Sequence, residues 1–238
     1  MAMDDRDEVL LDLDEAIRFR KQNPSELVNS KLGIVADLSD YIAATPEALT
    51  YLAQETCCSA VVIGLRRLDA GNAIVLANWE ATLCFSYLDS LDAEVAAILS
   101  ESSNTLVFES LREIRSDVAS ALAMSNTQLD LSLDNISLDV ANVLMEHTHE
   151  LWLRLKTLPS EPLLNVLANH TGYRLQVTWK RPTENDSCRF VCTNPNKKVF
   201  VVPRYHEATG QWFENVYIGD VDFYPDTLVS PDGIITVL

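Results

Sequence analysis

LCFSYLDSLDAEVAAILSESSNT (83–105), LVFESLREIRSDVASALAMSNTQ (106–128) and LDLSLDNISLDVANVLMEHTHE (129–150) are consecutive stretches written in one grammar. The same grammar extends upstream to VVIGLRRLDAGNAIVLANWEAT (61–82) and downstream to LWLRLKTLPSEPLLNVLANHTGYR (151–174), and a sixth copy opens with LQVTW at Leu175. The full units are 22, 23, 23, 22 and 24 residues long. A degenerate earlier copy is read from Leu38 to about Cys58. A period in this range is the mark of a stacked repeat architecture.

Each unit opens on a triplet with apolar outer residues: Val61/Ile63, Leu83/Phe85, Leu106/Phe108, Leu129/Leu131, Leu151/Leu153 and Leu175/Val177. Alternation of period 2 predicts a short strand with one buried face. Two apolar residues three apart follow, as in Leu65/Leu68, Leu88/Leu91, Leu111/Ile114, Leu133/Ile136 and Leu155/Leu158, and turn the chain inward. Asp92, Ser116, Ser137 and Ser160 are predicted N-caps, with acids following that suit the positive end of a helix dipole. The stripes Val95/Ala96/Ile98/Leu99, Val118/Ala119/Ala121/Leu122, Val140/Ala141/Val143/Leu144 and Leu163/Leu164/Val166/Leu167 predict the inner face of a short helix. Loops rich in Asn, His and Thr close the units. Asn tolerates left-handed backbone and is expected to end helices where glycine is absent.

One such unit cannot bury its own apolar face, so the units are expected to stack: α/β, a solenoid with a parallel sheet and one helix per repeat. The pattern resembles the leucine-rich-repeat class, above all short bacterial, planctomycete-type repeats of the form L-x-L-x-x-L-x-x-L-S-x-E-x-A-x-x-L-A. The resemblance covers 61–179 and, in weaker form, 38–60. It departs from the usual repeat in lacking the consensus Asn after the second Leu triplet, Asn135 being the near match. The resemblance implies an interaction module rather than an enzyme.

Three regions follow: an N-terminal helical cap (1–37), the leucine-rich-repeat-like solenoid (38–179) and a β-rich C-terminal cap or small domain (180–238). Residues 7–22 are read as the capping helix, with Val9, Leu10, Leu13 and Ile17 on one face and Asn23-Pro24 as its stop. After Trp179 the grammar changes to strand-like runs at 189–193, 198–202, 215–218, 221–224 and 234–238, with turns at 194–196, 209–210 and 231–233.

Eighteen basic against thirty-five acidic residues give a net charge of −17, which argues against nucleic acid or an anionic membrane as the main partner. Between residues 23 and 174 stand 20 acids and 8 bases, a balance that also suits attraction to a basic protein. No glycine lies between Gly71 and Gly172, so that span holds neither a Walker loop nor a dinucleotide fingerprint. The acidic start is not read as a secretory signal, and the apolar runs are too short to span a bilayer. Five cysteines without framework spacing suit a reduced, cytoplasmic setting.

No catalytic residue, metal site or cofactor is expected. Cys188, Cys192 and His206 fit zinc poorly. Glu146-His147-Thr148-His149-Glu150 lacks the i, i+4 histidine pair of a zinc-protease helix and is read as a polar helix-end loop. No nucleophile elbow with flanking glycines occurs.

Strand geometry supplies the site. The middle residue of each triplet points away from the core: Val62, Cys84, Val107, Asp130, Trp152 and Gln176. The next outward row is Gly64, Ser86, Glu109, Ser132, Arg154 and Thr178. Trp and Arg dominate binding hot spots, so the candidate binding residues are Trp152 and Arg154, with Asp130, Glu109 and Gln176 beside them. Two alternatives stand next to this one. The C-terminal β segment folds over Trp152, or an enzyme or small-ligand site lies in that segment around Arg204, His206 and Trp212.

Overall fold

A computed structural model describes residues 9–22, 29–30, 33–55, 58–157, 159–167, 169–180, 197–206 and 211–220. They form an α/β structure in which parallel strands alternate with helices. The chain divides into two compact units, Met1–Leu111 and Arg112–Leu238, which are described in turn.

The first unit runs β1 (Leu10–Leu11), α1 (Leu13–Gln22), β2 (Asn29–Ser30), β3 (Gly33–Leu38), β4 (Ala43–Ala44), α2 (Pro46–Glu55), β5 (Ala60–Ile63), α3 (Ala70–Ala77), β6 (Thr82–Phe85), α4 (Ala93–Ser100) and β7 (Leu106–Phe108). Strands β3, β5, β6 and β7 pair in parallel and keep the repeat phase: Ala36 lies beside Val61, Val61 beside Leu83, and Leu83 beside Leu106. The second core row is Leu38, Ile63, Phe85 and Phe108, all buried. Phe85 and Phe108 stack with ring centroids 4.9 Å apart. A buried side chain of this size contributes roughly 1.5–3 kcal/mol, so a continuous apolar row is the main cohesive element of the unit.

Two expectations are corrected here. The degenerate copy does not begin at Leu38: the strand occupies Gly33–Leu38, and the triplet in phase is Ala36-Asp37-Leu38. Small Ala36 hid it. The N-terminal helix does not span 7–22 but starts at Leu13, because Asp12 caps it by accepting from the Glu15 amide at 2.8 Å. Leu10 and Leu11 are instead a strand beside Ala43 and Ala44, extended by hydrogen bonds from Ile42 N to Val9 O (3.2 Å) and from Thr45 N to Leu11 O (3.0 Å). Val9, Leu10 and Leu13 are therefore exposed, while Leu11 and Ala16 are buried and α1 packs on α2.

The second unit runs α5 (Ser116–Ala123), β8 (Leu129–Leu133), α6 (Leu138–Leu144), β9 (Glu150–Leu155), α7 (Glu161–Leu167), β10 (Arg174–Lys180), β11 (Lys197–His206) and β12 (Gln211–Asp220). Strands β8, β9 and β10 are parallel, with Leu129, Leu151 and Leu175 in one row and Leu131, Leu153 and Val177 in the next. All six are fully buried. Strand β12 pairs antiparallel with β10, and β11 antiparallel with β12, so the C-terminal hairpin widens the same sheet. The strand-like runs at 198–202 and 215–218 fall inside this hairpin. Those at 189–193, 221–224 and 234–238 lie outside the described residues, as do the three turns, Cys188 and Cys192.

The helices bury three positions of each expected stripe, Val95, Ala96 and Leu99; Val118, Ala119 and Leu122; Val140, Ala141 and Leu144; Leu163, Leu164 and Leu167, whereas Ile98, Ala121, Val143 and Val166 are half-buried. Ser137 caps α6 by accepting from Val140 N at 3.2 Å, and Asp69 caps α3 by accepting from Asn72 N at 2.8 Å. Asp92 occupies the N-cap of α4 without a side-chain bond. In α5 the cap position is Arg115, not Ser116. There Asp117, in the first turn, accepts from the Arg115 guanidinium at 3.0 and 3.1 Å, and that hydrogen bond holds its carboxyl below the usual range. Asn78 ends α3, as expected of an asparagine, but its backbone is right-handed, as it is at the C-caps Glu101, Met124 and Met145. The asparagines act through their side chains instead, Asn78 Nδ2 donating to Ile74 O at 2.8 Å and Asn169 Nδ2 to Asn165 O at 3.1 Å.

Candidate functional site

In the second unit the outward row of β8, β9 and β10 is Asp130, Trp152 and Gln176, placed side by side by the parallel register. One step further along stand Ser132 and Arg154. The side chain of Thr178, which continues that row, lies outside the described part of the structure. Trp152 and Gln176 are half-buried, and the indole nitrogen of Trp152 is shielded from water.

Asp130 departs from expectation. It is only 7% exposed rather than open to solvent. The Arg154 guanidinium lies diagonally across the β8–β9 pair and its Nε donates to Asp130 Oδ1 at 3.0 Å. The Arg154 side chain keeps 41% of its exposure. A nearly buried carboxylate thus fixes an arginine that still reaches solvent. Just past the ends of β8 and β9, Lys156 and Asp134 form a second ion pair. The outward side of the β8–β9 pair therefore carries paired charges beside an aromatic.

Glu109 belongs to the first unit and is exposed there, accepting a hydrogen bond from Ser86 Oγ at 3.0 Å. The outward row in that unit is exposed, charged Asp37 followed by half-buried, uncharged Val62, Cys84 and Val107. Gly64 does not join an outward stripe: it is buried, and a Cβ on it would stand 2.3 Å from the Ser39 carbonyl oxygen. The structure therefore groups Trp152, Arg154, Asp130 and Gln176, and places Glu109 with Ser86.

The loops that close the repeats hold residues the sequence undervalued. His147 and His170 follow α6 and α7 at one repeat position, shared with Ser125 after α5, and all three are buried. Their amides donate to Leu144 O, Leu167 O and Leu122 O at 3.1, 3.2 and 3.0 Å. The His147 ring lies 3.3 Å, Nδ1 to oxygen, from the Ala123 carbonyl. Burial pushes its pKa down, and the carbonyls of Ala123, Glu150 and Thr127 oppose that shift only in part. The expectation of a polar loop at 146–150 therefore holds for exposed Glu146, Thr148 and His149 but not for His147. The available signal was phase: residues 125, 147 and 170 recur at the unit spacing, one residue beyond the helix C-caps or close to it.

Among the described residues, no cluster of three or more His, Cys, Asp or Glu side chains could hold a metal ion, and no helix is long and apolar enough to cross a membrane. The side chains of Arg204, His206 and Trp212 lie outside the described part, although their backbone stands in β11 and β12. Comparison with known protein families, with curated proteins and with solved structures finds no match to this chain.

Proposed function

We propose that this chain is a non-enzymatic interaction module: a leucine-rich-repeat-like solenoid, with a β-rich cap at its C-terminal end, that binds a protein partner on its sheet face. The solenoid reading is supported within each unit by parallel pairing that keeps the repeat phase from strand to strand. The binding reading is carried by one observation: Arg154 is held by nearly buried Asp130 next to half-buried Trp152, with Gln176 in register beside it. An arginine whose position is already fixed loses little side-chain entropy on binding, and a tryptophan offers a large rigid contact. The acidic character of the chain favours a basic partner.

The test is affinity capture with the full chain, in parallel with a Trp152→Ala plus Arg154→Ala double variant and a Leu138→Ala control at the exposed start of α6. Circular dichroism verifies that each folds. A partner retained by the wild type and the control but lost by the double variant, and then reproduced with the purified partner by calorimetry, is the expected result. Equal retention by all three chains overturns the assignment of the face.

A further inference from the structure

The closing loops of the last two repeats grip each other at one point. Thr171 N and Thr171 Oγ1 both donate to the Met145 carbonyl, each at 3.1 Å, and Tyr173 N donates to the Thr148 carbonyl at 3.1 Å. Gly172 lies so close that a Cβ would stand 2.3 Å from the His147 carbonyl oxygen, 2.7 Å from that of His149 and 2.7 Å from His170 Nε2. His147 sits inside this clasp with no exposure to solvent, and His170 is buried with it. The groups facing the His147 ring are the carbonyl of Ala123 from α5, those of Thr127 and Glu150 from the flanking loop and strand, and the His149 imidazole 6.1 Å away. Among the described residues, none of these groups is a carboxylate. A proton placed on this ring would therefore be buried without a counter-charge, and beside a second imidazole that repels it.

We propose that the loops at 145–149 and 169–173 form an acid-released latch at the entrance to β9 and β10, held while His147 is neutral and opened when it takes up a proton. The sign follows from burial. The folded chain prefers neutral His147, so its contribution is complete above the ordinary histidine range, near pH 6.5, and is lost as pH falls through the lowered folded value. Opening exposes the ring to water, where the charge is solvated. The two strands that follow the latch carry Trp152, Arg154 and Gln176. The latch does not depend on that face binding a protein.

The test is amide hydrogen exchange on the full chain at pH 7.5 and pH 5, corrected for the intrinsic pH dependence of exchange. Peptides covering 145–153 and 169–177 are compared with a reference peptide at β7 in the first unit. The expected result is at least tenfold faster exchange of the two loop peptides at pH 5, with the reference unchanged, and loss of that acid sensitivity in His147→Gln, which keeps size and polarity without titrating. Unchanged loop exchange at pH 5, or equal acid sensitivity in the variant, overturns the proposal. Should His147→Gln fail to fold, the His147 imidazole is followed by NMR in the wild type. Protonation coincident with loss of loop protection supports the latch, and protonation with protection intact overturns it.

Discussion

Asp130 on β8 accepts a hydrogen bond from Arg154 on β9, at 3.0 Å and across a diagonal of the parallel pair, while the carboxylate is nearly buried and the guanidinium half in solvent. The two residues are 24 apart in sequence and meet only because the strands stack in register. Removing the arginine leaves a carboxylate in a place where water cannot fully solvate it.

Arg154→Ala is accordingly expected to lower stability by about 1–3 kcal/mol, the usual cost of stripping a charged hydrogen-bond partner from a shielded group. Asp130→Asn in that background should restore part of the loss, since the shielded charge that Arg154 faced is then gone. Urea melts of the two single variants and the double variant measure both effects. Additive losses would mean that the pair does not couple.

Leu131 lies in the core row between β8 and β9 and has no solvent exposure. Leu131→Ala should cost about 2–5 kcal/mol, the sum of lost burial and the cavity left behind. A denaturation midpoint close to that of the wild type would contradict the strand phase from which the whole architecture is read.

Gly64 and Gly172 are required by space rather than by unusual backbone angles. A Cβ at either position would stand 2.3 Å from a backbone carbonyl oxygen, that of Ser39 or His147. Neither oxygen belongs to a flexible side chain that could swing aside. Gly64→Ala and Gly172→Ala should each destabilise by more than the ~1 kcal/mol typical of point substitutions. Thermal melts of both variants check this, and wild-type melting temperatures would show that the chain passes these points less closely.

Tyr41 is buried, and its hydroxyl donates to Glu15 Oε1 at 3.2 Å. Burial first, and then the Glu15 carboxylate, push its pKa up to about 12. The folded value lies above that of the unfolded chain, so the neutral phenol's contribution is complete below about pH 10 and is lost as pH rises through the folded value. Ultraviolet titration of the phenolate band should contain a late component that disappears in Tyr41→Phe. A variant with the same titration curve would refute the assignment.

The repeat was legible because leucine spacing encodes it twice, at period 2 in the triplets and at helical period in the stripes. Val118, Ala119, Ala121 and Leu122 were assigned to a buried helix face from spacing alone, and all but half-buried Ala121 are buried. The N-terminal segment was misread because Val9, Leu10, Leu13 and Ile17 satisfy helical spacing as well as the true boundary does. The Asp12 cap starts the helix at Leu13, and Leu10 and Leu11 pair instead with Ala43 and Ala44, more than thirty residues away. The candidate site was half legible. Alternation placed Trp152, Arg154 and Gln176 on the outward side of their strands, but it could not tell that Asp130 would be covered or that Gly64 would meet a carbonyl.

Sequence by itself determined what depends on spacing along the chain: the α/β alternation, the phase of strands β5 to β10 and the apolar face of each helix, since local periodicity decides which side chains can share a core. Tertiary structure alone decided what depends on approach between segments distant in the chain. It buried His147 and His170 in the closing loops, clasped Gly172 against two carbonyls and set Arg154 on Asp130. Such contacts form only when one repeat lies against the next, and no spacing rule records how closely two backbones come together.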